Sequence, residues 1–162
     1  MNIPQVSNKI FTGFIPLRDA KQSTTYALYS CTLNKCSASK AIDGDILTRS
    51  STNRVNDREW WSAKLDQTSN ISKILVYVND YGFSQGRFNQ FSVDTGMSRE
   101  DTEWRVCKGE YRMEKPYKPH VIECDSTTIA EFIRLSVRGS SVWLNEVKVT
   151  GTVSVGELDF SY

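Results

Sequence analysis

The segment Phe132-Ile133-Arg134-Leu135-Ser136-Val137-Arg138 (FIRLSVR) alternates apolar and polar residues without a break. Successive side chains of a strand point to opposite faces, so Ile133, Leu135 and Val137 are expected on a buried face and Arg134, Ser136 and Arg138 in solvent. The same period-two pattern recurs in Asn145-Glu146-Val147-Lys148-Val149-Thr150, with Val147 and Val149 inward, Lys148 outward and Gly151 ending the run. Trp60 to Leu65, Ile71 to Val78 and Phe91 to Thr95 are further runs rich in β-branched and aromatic residues. No stretch sustains apolar residues at i, i+3, i+4 and i+7 over three turns, so little helix is expected. The pattern predicts an all-β chain folded as an antiparallel β-sandwich.

The connections from Val78 to Gln90 and from Lys108 to Pro119 are long and polar, and no period of similarity repeats along the chain. Loops gathered at one end of such a sandwich are where function usually sits. Residues 14–151 are expected to form one domain, with residues 1–13 and 152–162 as tails. At 162 residues and 18.4 kDa the chain suits a single core.

Twenty Lys and Arg against nineteen Asp and Glu leave a net charge of +1, so no global field draws the chain to nucleic acid or an anionic membrane. No apolar run approaches the roughly 18 residues of a membrane span. Met1-Asn2-Ile3-Pro4-Gln5 has neither the basic start nor the apolar core of a secretory leader. The cysteines are Cys31, Cys36, Cys107 and Cys124, with no Cys-x-x-Cys pair. Two disulfides are the simplest account. A zinc site is the rival, and it is short of ligands because His120 is the single histidine. Asn70-Ile71-Ser72 is a glycosylation sequon, which together with paired cysteines points to a secreted protein or the extracellular part of a cell-surface one.

Ala41 to Thr52, AIDGDILTRSST, places Asp43 and Asp45 on either side of Gly44 and follows them with hydroxyls. The plain reading is a turn, with Asp43 bonding nearby backbone amides. The other is a calcium loop, since calcium takes six to eight oxygens drawn from carboxylates, hydroxyls and carbonyls. Glycine at position 44 suits either.

Four motifs in order resemble the fucolectins, or F-type lectins, of the discoidin and coagulation-factor C-domain superfamily. LRDAKQST (Leu17 to Thr24) is similar to that family's opening strand, and ASKAIDGD (Ala38 to Asp45) to its metal loop. EWWSAKLD (Glu59 to Asp66) is similar to its paired-tryptophan strand, and LNEVKVTG (Leu144 to Gly151) to its closing strand. The resemblance runs from about Leu17 to Gly151. It implies a jelly-roll-like, discoidin-type sandwich that binds sugars through loops at one end, without catalysis, and carries a structural Ca2+. It decides the Ala41 to Thr52 stretch for calcium, with side chains of Asp43, Asp45 and Glu146, the Ser50 to Thr52 hydroxyls, represented by Ser51, and carbonyls of Lys40 and Asn145 as ligands. It further implies that Cys107 pairs with Cys124.

The chain departs from that family in three places. Fucolectins carry a cysteine where Asn145 stands, bonded to the loop beyond the metal motif. Cys31 and Cys36 are new relative to the pattern, and a bond between them would close only a small ring. The fucose site of the family uses a histidine after the metal loop, two arginines in a later loop and a pair of adjacent cysteines. Here Arg54 lies near the histidine position, Arg87 near the second arginine, and Asn79 or Asp80 at the first. Tyr81 and Phe83 are candidates to replace the cysteine pair as an apolar platform for a sugar ring. The resulting expectation is a calcium-stabilised lectin module with a divergent fucose site and a glycan or cell-surface glycoprotein as partner. The alternative is a discoidin-like adhesion module that binds a protein through the same loops. Membrane insertion is not expected, since Asp80, Gln85 and Arg87 flank the loop aromatics, and an oligomer is compatible with either reading. One histidine and no Ser-His-Asp or Cys-His set argue against an enzyme.

Overall fold

The structure is a computed structural model that describes residues 8–79, 88, 90–114, 119–125 and 128–156. Ten strands are described: β1 (Asn8–Ile15), β2 (Leu17–Gln22), β3 (Ser50–Ser51), β4 (Arg58–Tyr77), β5 (Gln90–Gly96), β6 (Trp104–Arg112), β7 (His120–Ile122), β8 (Thr128–Arg138), β9 (Trp143–Leu144) and β10 (Glu146–Gly156). Among the described residues, helix is confined to short 3-10 turns at Tyr29–Cys31, Ala38–Ala41 and Asp101–Glu103. All pairings are antiparallel. The all-β sandwich expected from the alternation is what forms.

Strand β4 organises the molecule by serving both layers. Its first half pairs with β2 and β8, and β8 continues to β5 and β6. Its second half lies between β10 and β7, and β10 continues to β1. The two halves, expected as separate strands, are one strand whose register slips between Lys64 and Ser69. Asp66, Gln67 and Thr68 are exposed there, so the bend costs no core contact. Trp61, Leu65, Ile74, Val76, Ile133, Leu135 and Val149 are each at most 1% exposed and fill the space between the layers.

Four expectations need correction. Arg134 and Ser136 do not face solvent: they are 8% and 2% exposed. Arg134 binds Asp94 at 2.8 Å and stacks on Trp104 at 4.5 Å, because β8 is a central strand with neighbours on both sides. Residues 8–13 and 152–156, read as parts of tails, pair with each other in register from Asn8↔Gly156 to Ile15↔Val149. Gly151 does not end β10. It sits at a register shift where a Cβ would lie 2.4 Å from Asn70 O, so glycine permits the close approach of β4. The stretch after Lys108 is strand through Arg112 rather than connection. Asn70 of the sequon lies mid-strand, between Ile129 of β8 and Thr152 of β10.

Both cysteine pairs are bonded, Cys31 to Cys36 and Cys107 to Cys124, with no free cysteine. Asp125 N–H to Cys107 O at 3.0 Å and Lys108 Nζ to Asp125 Oδ1 at 2.9 Å reinforce the second bridge.

Candidate functional site

Trp61 seats the loop that follows β2. Its indole N–H donates to Ala38 O at 2.9 Å, which pins the Ala38–Ala41 turn to the core while Ala41 is fully buried beneath it. From this fixed turn the chain leaves through Asp43-Gly44-Asp45, with Gly44 at φ +80°, a conformation glycine adopts without strain. Asp45 N–H donates to Asp43 Oδ1 at 3.0 Å and Leu47 N–H to Asp45 Oδ1 at 2.9 Å, so each aspartate shapes its own turn.

Glu146, at the start of β10, reaches this loop from the other side of the sequence. It is 3% exposed and accepts Gly44 N–H at 3.2 Å. Burial, joined by the charges of Asp43 and Asp45, pushes its carboxyl up to about 7 against the opposing pull of the Gly44 bond and Lys148. The Thr48 hydroxyl lies 2.7 Å from Asp43 Oδ2, 3.0 Å from Asp45 O and 3.3 Å from Lys40 O. One hydroxyl proton serves three acceptors, so oxygens are crowded beyond what hydrogen bonds can satisfy.

Of the expected ligands, Lys40, Asp43, Asp45 and Glu146 thus share one corner. Among the described residues no three His, Cys, Asp or Glu side chains gather as a metal set. Ser51 sits in β3: its N–H donates to Cys36 O at 3.0 Å, its carbonyl accepts Tyr26 N–H at 2.9 Å, and it makes no bond to the corner. Thr48, three residues nearer the aspartates, brings its hydroxyl to this corner. The sequence signal was the hydroxyl run itself; its spacing from Asp45, a turn closed by Thr48 N–H on Asp45 O at 3.2 Å, was what distinguished Thr48.

Asn145 connects this corner to the next loop. Its amide donates to Ile46 O at 3.1 Å and Thr48 O at 3.0 Å, and its side-chain oxygen accepts Asn79 N–H at 2.9 Å. Trp143 Nε1 donates to Asn79 Oδ1 at 3.2 Å, and Arg49 stacks on Trp143 at 4.0 Å. Arg49 Nη2 also donates to Ser30 Oγ at 2.9 Å and contacts Cys31 Sγ at 3.2 Å, which ties the Cys31–Cys36 ring to the same surface. Ile46, Leu47, Tyr77, Val78, Asn79 and Asn145 line a cleft of about 190 Å³. Arg49 and Trp143 carried no motif and were missed by sequence reasoning.

Asp80, Tyr81, Phe83 and Arg87, the rest of the expected ligand site, lie outside the described residues. Phe88 is fully buried and stacks on Phe91 at 4.5 Å. Arg54 is exposed, in a segment shaped by Glu59. Glu59 is fully buried and accepts Thr24 Oγ1 at 3.0 Å, Asn56 N–H at 3.0 Å, Val55 N–H at 3.2 Å and the Ser23 hydroxyl. Burial pushes its carboxyl up, and these bonds together hold it below its ordinary value.

A family described as NedA-like, galactose-binding domain, of the F5/F8 type C group, matches residues 40–135, more than half of the chain. No curated protein matches. A mutant lectin-binding domain of lectinolysin, complexed with Lewis b, is 20% identical with a TM-score of 0.65, over 82% of this chain and 91% of that one. A fucolectin from striped bass (Morone saxatilis) serum is 18% identical with a TM-score of 0.69, over 86% of this chain and 49% of that one. A family 32 carbohydrate-binding module from C. perfringens, in complex with galactose, is 18% identical with a TM-score of 0.65, over 86% of this chain and 99% of that one. The chain thus spans about half the length of the fucolectin. At these identities the likeness shows a shared fold.

Proposed function

Because the chain belongs to the NedA-like, galactose-binding domain family of the F5/F8 type C group, we propose that it is a non-catalytic module for extracellular glycan recognition. The glycan binds at the loop end that carries Asn79, Trp143 and Asn145. The observation that carries this reading is the Asn145 side chain, which locks the Asn79 loop to the Asp43–Thr48 loop through three hydrogen bonds. Binding loops held by buried polar groups are preorganised, and preorganisation is what lets a shallow surface bind sugar. Support from fold comes from relatives that are themselves lectins and carbohydrate-binding modules. Two disulfides suit an extracellular setting.

Calcium belongs to this reading. The corner offers hard oxygens of mixed type, a buried carboxylate pushed toward protonation and a hydroxyl crowded by three acceptors, which is the chemistry a hard cation relieves. Asp43, Asp45, Thr48, Glu146 and the Lys40 carbonyl would hold it, with Asn145 adjacent. The ion would supply charge compensation for Glu146 and rigidity for the loop.

The fucose site is divergent. With no histidine after the metal loop and Asn79 or Asp80 at the first arginine position, two charged donors are replaced, each worth about 1.5–3 kcal/mol. Free fucose therefore binds roughly a hundredfold or more weaker than to an intact site. Calorimetric titration with fucose, galactose and a larger fucosylated oligosaccharide tests the function: binding of the oligosaccharide, weakened by Trp143→Ala, is expected. No heat with any of them would defeat the glycan reading. A protein-binding adhesion module is the second reading, favoured by Tyr29, Leu33 and Leu47, which are 83%, 91% and 88% exposed.

A further inference from the structure

The outer face of the sheet carries an arrangement unrelated to the loop end. Trp61, Ala63 and Leu65 of β4 face the core, so alternation sends Arg58, Trp60, Ser62 and Lys64 outward. Register places them beside Arg138, Ser136, Arg134 and Phe132 of β8 respectively. On the other side β2 sets Arg18 beside Lys64 and Lys21 beside Ser62. Between these two β2 residues the register slips, and Asp19 takes a left-handed φ of 48°, unusual for a residue with a side chain. Asp19 Oδ2 thereby meets Arg99 Nη1 at 2.7 Å, and the Arg99 guanidinium lies over the Phe132 ring at 5.0 Å. Lys64 Nζ approaches the same ring at 5.6 Å.

Charge on this face is unbalanced. Arg18, Arg99, Arg134 and Arg138 have carboxylate partners in Asp66, Asp19, Asp94 and Asp57, at 3.7, 2.7, 2.8 and 2.8 Å. Lys21, Arg58 and Lys64 have none among the described residues, on a chain whose net charge is only +1. Lys21 and Lys64, after Arg99, help hold the Asp19 carboxyl below its ordinary value, which places both near one already neutralised carboxylate. A second feature is aromatic. Trp60 of β4 is only half-buried, so part of its ring stays open on this face, while Ser62 and Ser136 beside it are 1% and 2% exposed and lie beneath the surface.

We propose that this face is a second binding surface, for an anionic polysaccharide lying along β4, with a pyranose ring on half-buried Trp60 and carboxylate or sulfate groups on Arg58, Lys64 and Lys21. Arg58 and Lys64 are six residues apart on one strand, about 20 Å, a span that engages several sugar units. Sparse cations beside one aromatic ring match a polymer charged about once per sugar. They do not match duplex nucleic acid, which carries one charge per about 1.7 Å, and the chain's pI is 7.6 rather than strongly basic.

Affinity capillary electrophoresis of the full chain with heparin and with polygalacturonate tests this, the two polymers separating sulfate from carboxylate as the preferred group. One or both bind, neutral dextran does not, and affinity falls steeply with salt. Lys21→Gln/Arg58→Gln/Lys64→Gln weakens binding about tenfold or more with an unchanged melting temperature, and Lys21→Glu alone, at an exposed position, moves it in the same direction. Asn145→Asp at the loop end leaves it unchanged, so the result is independent of the loop site. Absence of binding to both polymers, undiminished binding by the folded triple variant, or equal competition by duplex DNA would each overturn the proposal.

Discussion

Asn145 Oδ1 accepts the backbone N–H of Asn79 at 2.9 Å, and the amide of the same side chain donates back to Ile46 O and Thr48 O. Where the resembling fucolectins place a cysteine, this chain uses a carboxamide that meets three backbone groups from two loops. Asn145 is 2% exposed, so these groups have no ready access to water. Removing a buried partner leaves an unsatisfied group at about 1–3 kcal/mol. Asn145→Leu is therefore expected to cost roughly 2–4 kcal/mol in urea denaturation. Asn145→Asp keeps the acceptor for Asn79 but sets a carboxylate against two carbonyls. It is expected to weaken glycan binding more than Asn145→Ser does, and equal binding by both variants would contradict the staple.

Acid sensitivity centres on Glu59. Its carboxyl is held low in the fold, so its stabilising contribution is fully present above the unfolded value of about 4.5 and is lost as pH falls through the lower folded value. Glu59→Gln is expected to reduce stability at pH 7 by about 1–3 kcal/mol and to flatten the decline of stability below that value. Melting curves of both proteins across the acid range check the sign; a parallel decline would contradict it.

The two disulfides differ in what they constrain. Cys107–Cys124 spans 17 positions and Cys31–Cys36 spans 5, so chain-entropy reasoning gives the first about 1 kcal/mol more stabilisation. Cys107→Ser/Cys124→Ser is expected to lower the melting temperature more than Cys31→Ser/Cys36→Ser. The second pair of substitutions instead loosens the Arg49–Trp143 contact, read as a change in tryptophan fluorescence.

The calcium corner makes its own prediction. Thr48→Val removes the crowded hydroxyl and Glu146→Gln the buried carboxylate, and both should lower the melting temperature measured in calcium and abolish most of the shift produced by chelator. A chelator shift retained in Thr48→Val would remove Thr48 from the set.

Period-two alternation revealed the strands around Ile133, Val147 and Val93 because apolar residues mark one face of each. It failed at Arg134, which is held against Asp94 and Trp104, and at buried Ser136, since periodicity reports on side-chain direction and not on what lies beside it. The bend in β4 escaped notice because Asp66 to Ser69 reads as a loop by composition, while Asp66 N–H on Pro16 O and the Ser69 pairing with Ala130 carry the strand across it. β1 was read as a tail because its partner is 140 residues distant and no local pattern encodes that. In the site, Asp43, Asp45 and Glu146 were legible through motif resemblance. Thr48 was available from its place three residues after Asp45 in the same loop, whereas the Arg49–Trp143 stack depends on how two segments meet and leaves no trace in spacing.

The central claim, that the loop end joined by Asn145 recognises glycan with calcium in support, is tested most directly by a glycan array probed with and without chelator. The account predicts reproducible binding to a subset of galactose- or fucose-bearing oligosaccharides, reduced several-fold by chelator and by Trp143→Ala. An array with no signal in calcium would contradict it.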